Sequence, residues 1–256
     1  MSRAESPCRR RSMLAAMLLC LCLAFPSRAQ AAEPLRLNSA DPAPLSRPGG
    51  TGINDRIVAE AYRRNGLPVR LVRLTAERAL LNANEGIDDG IYVRIAGLER
   101  VYPNLVMVPE PVGEFLFTAF TKDPAMRVNG WDGLKPYHVG LVTGWKIVEA
   151  HTAGVRARTS VKNEESLFAL LDKGRVEVVV LDLLTGLEAA RSRGYQGVRA
   201  LSPPLERRNM HIYLNKRHAD LVPKLAAALR EMKRDGTIER LTRAGLAGVG
   251  IAQEAP

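Results

Sequence analysis

Two arginines, Arg94 and Arg100, follow a short apolar run that begins at Asp89. A guanidinium group is always charged, and its planar pair of N–H donors matches a carboxylate or a phosphate. Two such groups close to a buried strand predict a pocket that holds an anion. The alternative for Arg100 is an exposed ion pair with Glu99, and for Arg94 a solvated loop position, since exposed charges contribute little to stability.

Four further residues are candidates for the same pocket. Asp182 ends the apolar run VEVVVLD, where an unpaired buried carboxylate would be costly, and the alternative is that it caps the following helix. Trp145 and Lys146 follow Gly144 at a predicted helix start, where free N–H groups favour an anion. Trp145 offers a flat surface for a ligand or ordinary packing, and Lys146 adds positive charge. Asp41 lies in the loop DPAPLSRPGGTG, where turn formation explains it equally well.

The sequence contains no pattern typical of a metal centre or a nucleotide-dependent enzyme. No two histidines are three or four residues apart, and there is no phosphate-binding loop, dinucleotide fingerprint or nucleophile elbow. We therefore predict no metal and no cofactor. The carboxylates that could act as a general acid or base have no spacing that demands catalysis. They are Glu99, Glu177 and Asp182.

The first 32 residues have the pattern of an export signal. Arg9, Arg10 and Arg11 form a charged region, residues 13–25 are apolar but short for a membrane span, and Ala31 ends a small-x-small cleavage motif. We expect a general export signal cleaved near Ala31 and a periplasmic protein. A twin-arginine signal and an uncleaved anchor are the alternatives.

Cysteine content and charge exclude several classes of protein. All three cysteines, Cys8, Cys20 and Cys22, lie in the predicted signal, so the mature chain has no disulfide, thiolate nucleophile or Cys-ligated metal. Residues 1–31 carry five arginines and one glutamate, a net charge of +4, which leaves +6 of the whole chain's +10. The basic residues are spread along the chain and form no dense Lys/Arg cluster, which argues against a nucleic-acid partner.

The predicted elements alternate between strands and helices. In the first half, residues 34–40, 69–74 and 91–93 are predicted strands. A helix capped by Asn54 or Asp55 and a helix that begins at Ala76 separate them. After residue 125 the rhythm restarts with strands 137–142 and 176–182, and with helices from Lys146, over 165–174, over 219–236 and over 237–246. The pattern predicts an α/β fold with mainly parallel sheets and flanking helices, joined around 117–123 and 201–209.

Four segments in this order resemble the bacterial extracellular solute-binding proteins of the amino-acid type (family 3), which have the type-2 periplasmic binding fold. LRLNSADPAPLS is similar to the first strand and ligand loop of that family, and DGIYVRIAGLER to its Asp-initiated strand and Thr-Pro-Glu-Arg-like motif. LFALLDKGRVEVVVLD resembles the helix and strand that end at a ligand-facing Asp. DGTIERLTRAG resembles the closing helix. The resemblance covers nearly the whole mature chain.

The resemblance implies two lobes joined by two hinge crossings, with lobe 1 at 33–119 and 207–256 and lobe 2 at 120–206. It implies a monomeric receptor that clamps a small carboxylate or amino-acid-like ligand and passes it to the membrane permease of an ABC-type importer. Two alternatives remain open. One is an enzyme on the same fold that resembles cyclohexadienyl or arogenate dehydratases, and the other is a sensing module for a membrane signalling protein.

Two candidate residues match the family's ligand contacts. Arg100 matches the arginine that holds the ligand carboxylate, and Asp182 matches the carboxylate that holds the amino group. Arg94 has no such counterpart, but it follows a strand at the edge where open α/β sheets bind ligands. A second cationic contact would suit a dicarboxylate or a phosphorylated solute.

The sequence departs from the family at positions that normally contact the ligand. Trp145 and Lys146 stand where the family has small hydroxyl residues, and Tyr92, Val93 and Ile95 stand where it has small polar ones. The alignment of this strand with the family can shift by one residue, because Asp88 and Asp89 both fit the strand-initiating Asp. The resemblance therefore predicts the fold better than it predicts the ligand.

Overall fold

Strands and helices alternate through residues 33–247, the part of the chain that the computed structural model describes. The predicted export signal (1–32) and residues 248–256 lie outside the described residues. The first elements are β1 (Leu35–Ser39), α1 (Ile53–Arg64), β2 (Val69–Arg73), α2 (Ala76–Asn84) and β3 (Gly90–Arg94), followed by a 3-10 turn (Leu98–Arg100), β4 (Leu105–Met107) and β5 (Gly113–Thr121).

The second group of elements begins with a 3-10 turn at Trp131–Leu134. It continues with β6 (His138–Val142), α3 (Lys146–His151), β7 (Ala157–Val161), α4 (Glu164–Asp172), β8 (Val178–Asp182), α5 (Leu183–Ser192) and β9 (Arg199–Ala200). The chain then forms β10 (Glu206–Asn215), a 3-10 turn (Lys216–Leu221), α6 (Val222–Arg234) and α7 (Thr237–Ala247).

The strands form a continuous hydrogen-bonded path in the order β2-β1-β3-β10-β5-β8-β6-β7, with β4 beside β10 and β9 beside β5. The pairs β1–β2, β1–β3, β6–β7 and β6–β8 are parallel, as expected where helices connect successive strands. In the middle of the path, β5 and β10 run antiparallel to each other and to their outer neighbours. The predicted two-lobed α/β fold is confirmed.

Strand β10 links the two halves of this path. Residues 206–210 pair with β5, and residues 211–215 pair with β3 and β4. The sequence did not predict β10, because its first half carries Glu206, Arg207 and Arg208 in place of alternating apolar residues. Strand β5 was not predicted either, and it overlaps the segment 117–123 at which the two units were expected to join.

Helix α1 starts two or three residues earlier than predicted, and its start fixes the loop that carries Asp41. Gly52 occupies the N-cap position, so the prediction of Asn54 or Asp55 as the cap was wrong. The buried Asp55 carboxylate instead accepts hydrogen bonds from the N–H groups of Gly52 and Arg47, both at 2.9 Å, and from the Tyr92 hydroxyl at 2.8 Å. These bonds tie the loop after β1 to strand β3.

Across residues 33–247, none of the helices combines the length and the apolar character that a membrane crossing requires.

Candidate ligand-binding site

Strand β3 ends in an irregularity that directs Arg94 inward. Between the paired residues Ile91 and Arg94, two residues of β3 lie opposite a single residue of β10, which is a β-bulge. Val93, inside the bulge, has a φ of 63°, a conformation that is unfavourable for a β-branched residue. Bulges change the direction of the side chains beside them, and the guanidinium of Arg94 lies against the start of α2.

The guanidinium of Arg94 is incompletely paired. Its Nη2 donates to the Ala76 carbonyl at 3.0 Å, whereas its Nε is buried without a hydrogen-bond partner among the described residues. Burial lowers the pKa of Arg94, and the attraction of Asp41 partly opposes this effect. A buried charged donor without a partner carries a desolvation cost, which an incoming anion would remove.

Asp41 lines the same cavity as Arg94, from the loop after β1. It is 4 % exposed, and its carboxyl accepts a hydrogen bond from the Asn54 amide at 3.4 Å. Burial raises the pKa of Asp41 to about 8, although Arg94 and Asn54 lower it. Among the described residues, Asp41 forms no ion pair with Arg94, so this carboxyl does not satisfy the guanidinium by direct contact.

The opposite wall of the cavity is formed by the segment that joins β6 to α3. Trp145 is buried there, with its ring edge-on to Phe117 at a centroid distance of 6.1 Å. Lys146 donates to Glu77 at 2.8 Å and lies 3.3 Å from Glu149, so its charge is paired. The ion pair to Glu77 joins α3 to α2.

The expected anion site at the start of α3 is occupied by the protein itself. The N–H of Gly144 donates to the Glu149 carboxylate at 2.6 Å, so it is not free for a ligand. Gly144 also has a φ of 88°, and a Cβ added there would lie 2.7 Å from the Cβ of Ala76. Only glycine permits this close approach between the segment after β6 and the start of α2.

These residues enclose a cavity of about 30 Å³, which we call the inner cavity. Its volume corresponds to roughly two water molecules, less than a whole amino acid requires. The structure brings four of the predicted site residues together around it: Asp41, Arg94, Trp145 and Lys146. Its remaining walls are mostly apolar and include Phe115, Phe117 and Met210 from β5 and β10. Those three residues were not predicted, because the sequence carries no clear strand pattern over β5 and the first half of β10.

Asp182 lies outside the lining of the inner cavity and caps helix α5. Its buried carboxylate accepts hydrogen bonds from the N–H groups of Leu184 at 3.1 Å, Thr185 at 3.3 Å and Leu116 at 3.1 Å. Burial raises the pKa of Asp182 to about 6, and these backbone hydrogen bonds limit the rise. The geometry is that of the capping alternative.

Arg100 is likewise absent from the lining of the inner cavity. It is exposed at the end of the 3-10 turn, and its side chain makes no hydrogen bond or ion pair within residues 33–247. The alternative for Arg100, an ion pair with Glu99, does not form either, and Glu99 accepts a hydrogen bond from the Tyr213 hydroxyl at 3.0 Å. Glu177, the third candidate acid or base, pairs with Arg156 and accepts from the His138 N–H at 2.7 Å.

The described residues contain no group of three or more His, Cys, Asp or Glu side chains placed to hold a metal ion. The inner cavity instead combines one cation with a free donor, one carboxyl with a raised pKa and apolar walls. This combination can hold a small polar solute by its charged group.

The fold that surrounds this cavity is that of the type-2 periplasmic binding proteins. The ligand-binding core of GluR0 in complex with L-glutamate superposes with a TM-score of 0.74 and 16% sequence identity, over 84% of this chain and 99% of that chain. A histidine kinase sensor domain with similarity to periplasmic binding proteins gives 0.72 and 13%, over 84% and 96%. The substrate-binding protein of an amino acid ABC transporter gives 0.68 and 14%, over 82% and 97%.

Sequence comparison adds little to this likeness. No protein-family model matches the chain. A protein of Shewanella oneidensis described as uncharacterized is 26% identical over 148 residues, and the match spans about half of each protein, 54% of this chain and 54% of the other. All these identities are low, so the comparisons establish the fold and leave the ligand open.

Proposed function

We propose that the protein is an exported solute receptor that holds a small anionic or amino-acid-like ligand between its two lobes. The observation that carries this proposal is the buried guanidinium of Arg94, which has an unpartnered Nε at the wall of the inner cavity. A carboxylate that accepts from Nε and a second guanidinium nitrogen would complete its hydrogen bonds in the bidentate geometry that arginine favours. We assign the anion to Arg94 rather than to Arg100.

Lobe closure explains how a cavity of about 30 Å³ can belong to a receptor. On the predicted bounds, the ion pairs Lys146–Glu77 at 2.8 Å, Arg73–Glu164 at 3.0 Å and Arg47–Glu188 at 3.2 Å all join lobe 1 to lobe 2. Each pair is partly exposed and contributes little on its own, so separation of the lobes is inexpensive. Opening would enlarge the cavity for a ligand, and reclosure would bury it.

A thermal-shift screen tests this proposal. Amino acids, dicarboxylates, phosphorylated solutes and polyamines would be added to the wild-type protein in excess. Saturation to a hundred times the Kd stabilises the folded state by about 2.7 kcal/mol, which for a protein of this size raises the Tm by about 5–10 °C. We expect acids to give the largest shifts, and a polyamine as the best ligand would contradict the proposal.

Arg94→Gln and Arg100→Gln form a matched pair of variants for the best acid. Loss of one partner of a buried hydrogen-bonded charge pair costs about 2 kcal/mol or more, so Arg94→Gln should weaken binding at least ~30-fold. Arg100→Gln removes the same charge from an exposed residue outside the cavity lining and should bind normally. The opposite result, with Arg100→Gln impaired and Arg94→Gln unaffected, would move the site to Arg100.

Delivery of the ligand to an ABC-type permease is the role we favour, because the fold and a predicted export signal are the parts of such a receptor. Purified mature protein should then begin near residue 32, and N-terminal sequencing that finds the segment 1–32 retained would contradict the exported, freely diffusing form. A sensing role is the second candidate, supported by the likeness to a histidine kinase sensor domain. Substrate uptake by cells that lack the protein separates the two roles, since only the first requires it for import.

A further inference from the structure

A second and larger cavity adjoins the inner one. It measures about 540 Å³ and shares Ile95, Lys146 and Ile147 with the lining of the inner cavity. We call it the outer chamber. Its walls come from the segment after β3, from α3 and from the first half of β10, so on the predicted lobe bounds it opens beside a hinge crossing.

The outer chamber is lined by basic and neutral residues without a carboxylate among them. Lys146 and His151 face it from α3, and Arg207, Arg208 and His211 face it from β10. Basic side chains that line one concave surface can bind carboxylates and phosphates. Of these residues, Lys146 is paired with Glu77 and Glu149, and His151 lies 3.7 Å from Glu206.

His211 is a buried residue of the chamber wall, and a hydrogen bond fixes its ring. It is only 7 % exposed, and its Nδ1 lies 3.0 Å from the Val108 carbonyl oxygen. Because a carbonyl oxygen can only accept, Nδ1 carries a proton and donates to it. That bond fixes the ring and leaves Nε2, which has no hydrogen-bond partner within residues 33–247, as an acceptor in the neutral ring, so it can receive the hydroxyl proton of a group such as hydrogen phosphate.

The two arginines that line the chamber are each engaged in a weak ion pair. Arg207 lies 3.3 Å from Glu114, and Arg208 lies 2.5 Å from Glu206, with both arginine side chains about half exposed. Exposed ion pairs of this kind contribute about 0–1 kcal/mol, so either guanidinium can turn to an anion at little cost. Glu206 also accepts from the indole Nε1 of Trp131 at 2.6 Å, which makes Trp131 sensitive to any change at Arg208.

We infer that the outer chamber is a second anion-binding site, which takes a phosphate or carboxylate group next to the ligand held at Arg94. The anionic group is either the far end of that same ligand or a separate ion. The first case rests on the proposed function and would define the ligand as an acid with two anionic groups. The inner cavity supports it, because its volume of about 30 Å³ suits a carboxylate group and leaves the rest of the molecule to the outer chamber.

The two tryptophans of the chain allow each site to be observed separately. Trp145 lines the inner cavity, whereas Trp131 stacks on the imidazole of His151 at a centroid distance of 4.6 Å and an angle of 8°. In a Trp145→Phe protein the remaining indole therefore reports the outer chamber. We expect inorganic phosphate, titrated at constant ionic strength against chloride, to change the Trp131 emission in a saturable way.

The double variant Arg207→Gln/Arg208→Gln, made in the Trp145→Phe protein, tests the assignment. It should weaken phosphate binding at least tenfold. The matched control Arg56→Gln/Arg70→Gln removes two exposed guanidiniums that do not line the chamber and should change the affinity less than twofold. No saturable response to phosphate in the parent protein, or equal losses in the two double variants, would overturn the inference.

Competition with succinate and butyrate then identifies the source of the anionic group. Displacement of phosphate by succinate and not by butyrate indicates that the second carboxylate of one ligand enters the chamber, and displacement by neither indicates a separate ion. Arg94→Gln separates the two proposals. If that variant still responds to phosphate and still binds the acid, the assignment of Arg94 is wrong and the assignment of the outer chamber is retained. If the parent protein gives no phosphate response while Arg94→Gln abolishes acid binding, only the assignment of the outer chamber is wrong.

Discussion

Asp41 gives the sharpest prediction on stability, because it is a carboxyl that the fold keeps from ionising. Burial raises its pKa from 3.8 to about 8. In the unfolded chain the proton leaves near the ordinary pKa, so between these two values the folded state binds one proton more than the unfolded state. By linkage, the free energy of unfolding must therefore fall as the pH rises through this range.

The magnitude follows from the two pKa values. Between about pH 5 and about pH 7.5, this one carboxyl should remove about 3 kcal/mol of the stability that its protonated form provides. Asp41→Asn cannot ionise and should lack this loss. Relative to the wild type, the variant should therefore gain about 3 kcal/mol across the same interval.

Urea unfolding of both proteins at a series of pH values measures this difference. Asp182 has a pKa raised to about 6, so it also lowers the free energy of unfolding as the pH rises. The wild-type profile therefore contains both effects, and the difference between variant and wild type isolates the effect of Asp41. Asp220→Asn, at an exposed aspartate, is the control for the exchange of a carboxyl for an amide. A gap between Asp41→Asn and wild type that stays constant with pH would mean that Asp41 is ionised in the folded protein.

Three further substitutions test a close backbone approach, a helix-to-strand contact and a helix cap. Gly144→Ala places a Cβ 2.7 Å from that of Ala76 and should weaken ligand binding at least tenfold by opposing closure, whereas unchanged affinity in calorimetry would show that this contact is not part of the bound state. Gly186→Ala places a Cβ 2.1 Å from the Phe120 ring and should cost about 1–3 kcal/mol in urea unfolding, with a neutral result contradicting the packing. Asp182→Ala should lower stability by roughly 2 kcal/mol through loss of the helix cap and keep ligand affinity, while a selective loss of affinity would restore Asp182 as a ligand contact.

The alternation of apolar segments was sufficient to predict most of the fold. Strands such as β8, with the run VVVLD, are buried on both faces and therefore apolar throughout, and the amphipathic helices end near their glycines. Strand β10 was not predictable in this way, because backbone hydrogen bonds to β5, and not apolar side chains, hold its first half in the sheet. The outer chamber depends on that strand, so its arginines had no visible role in the sequence.

The candidate site was predictable only in part, for a similar physical reason. Arg94 was expected at a ligand-binding edge because it follows a buried strand, but the bulge at Val93 that directs it inward has no signal in the sequence. Arg100 and Asp182 were chosen by their position in a resembling chain. Local contacts decide their placement: a short 3-10 turn leaves Arg100 exposed, and the amides of α5 engage Asp182.

The most direct test of the central claim is the emission of Trp145 in a Trp131→Phe protein, titrated with the best acid from the screen. Trp145 lines the inner cavity opposite Arg94 and is then the single indole of the chain. We predict a saturable change in emission whose midpoint equals the calorimetric Kd, and which disappears when Arg94→Gln is added. Tight binding of the acid that leaves the Trp145 emission unchanged, with the same Kd in the Arg94→Gln protein, would contradict the claim that this cavity is the ligand site.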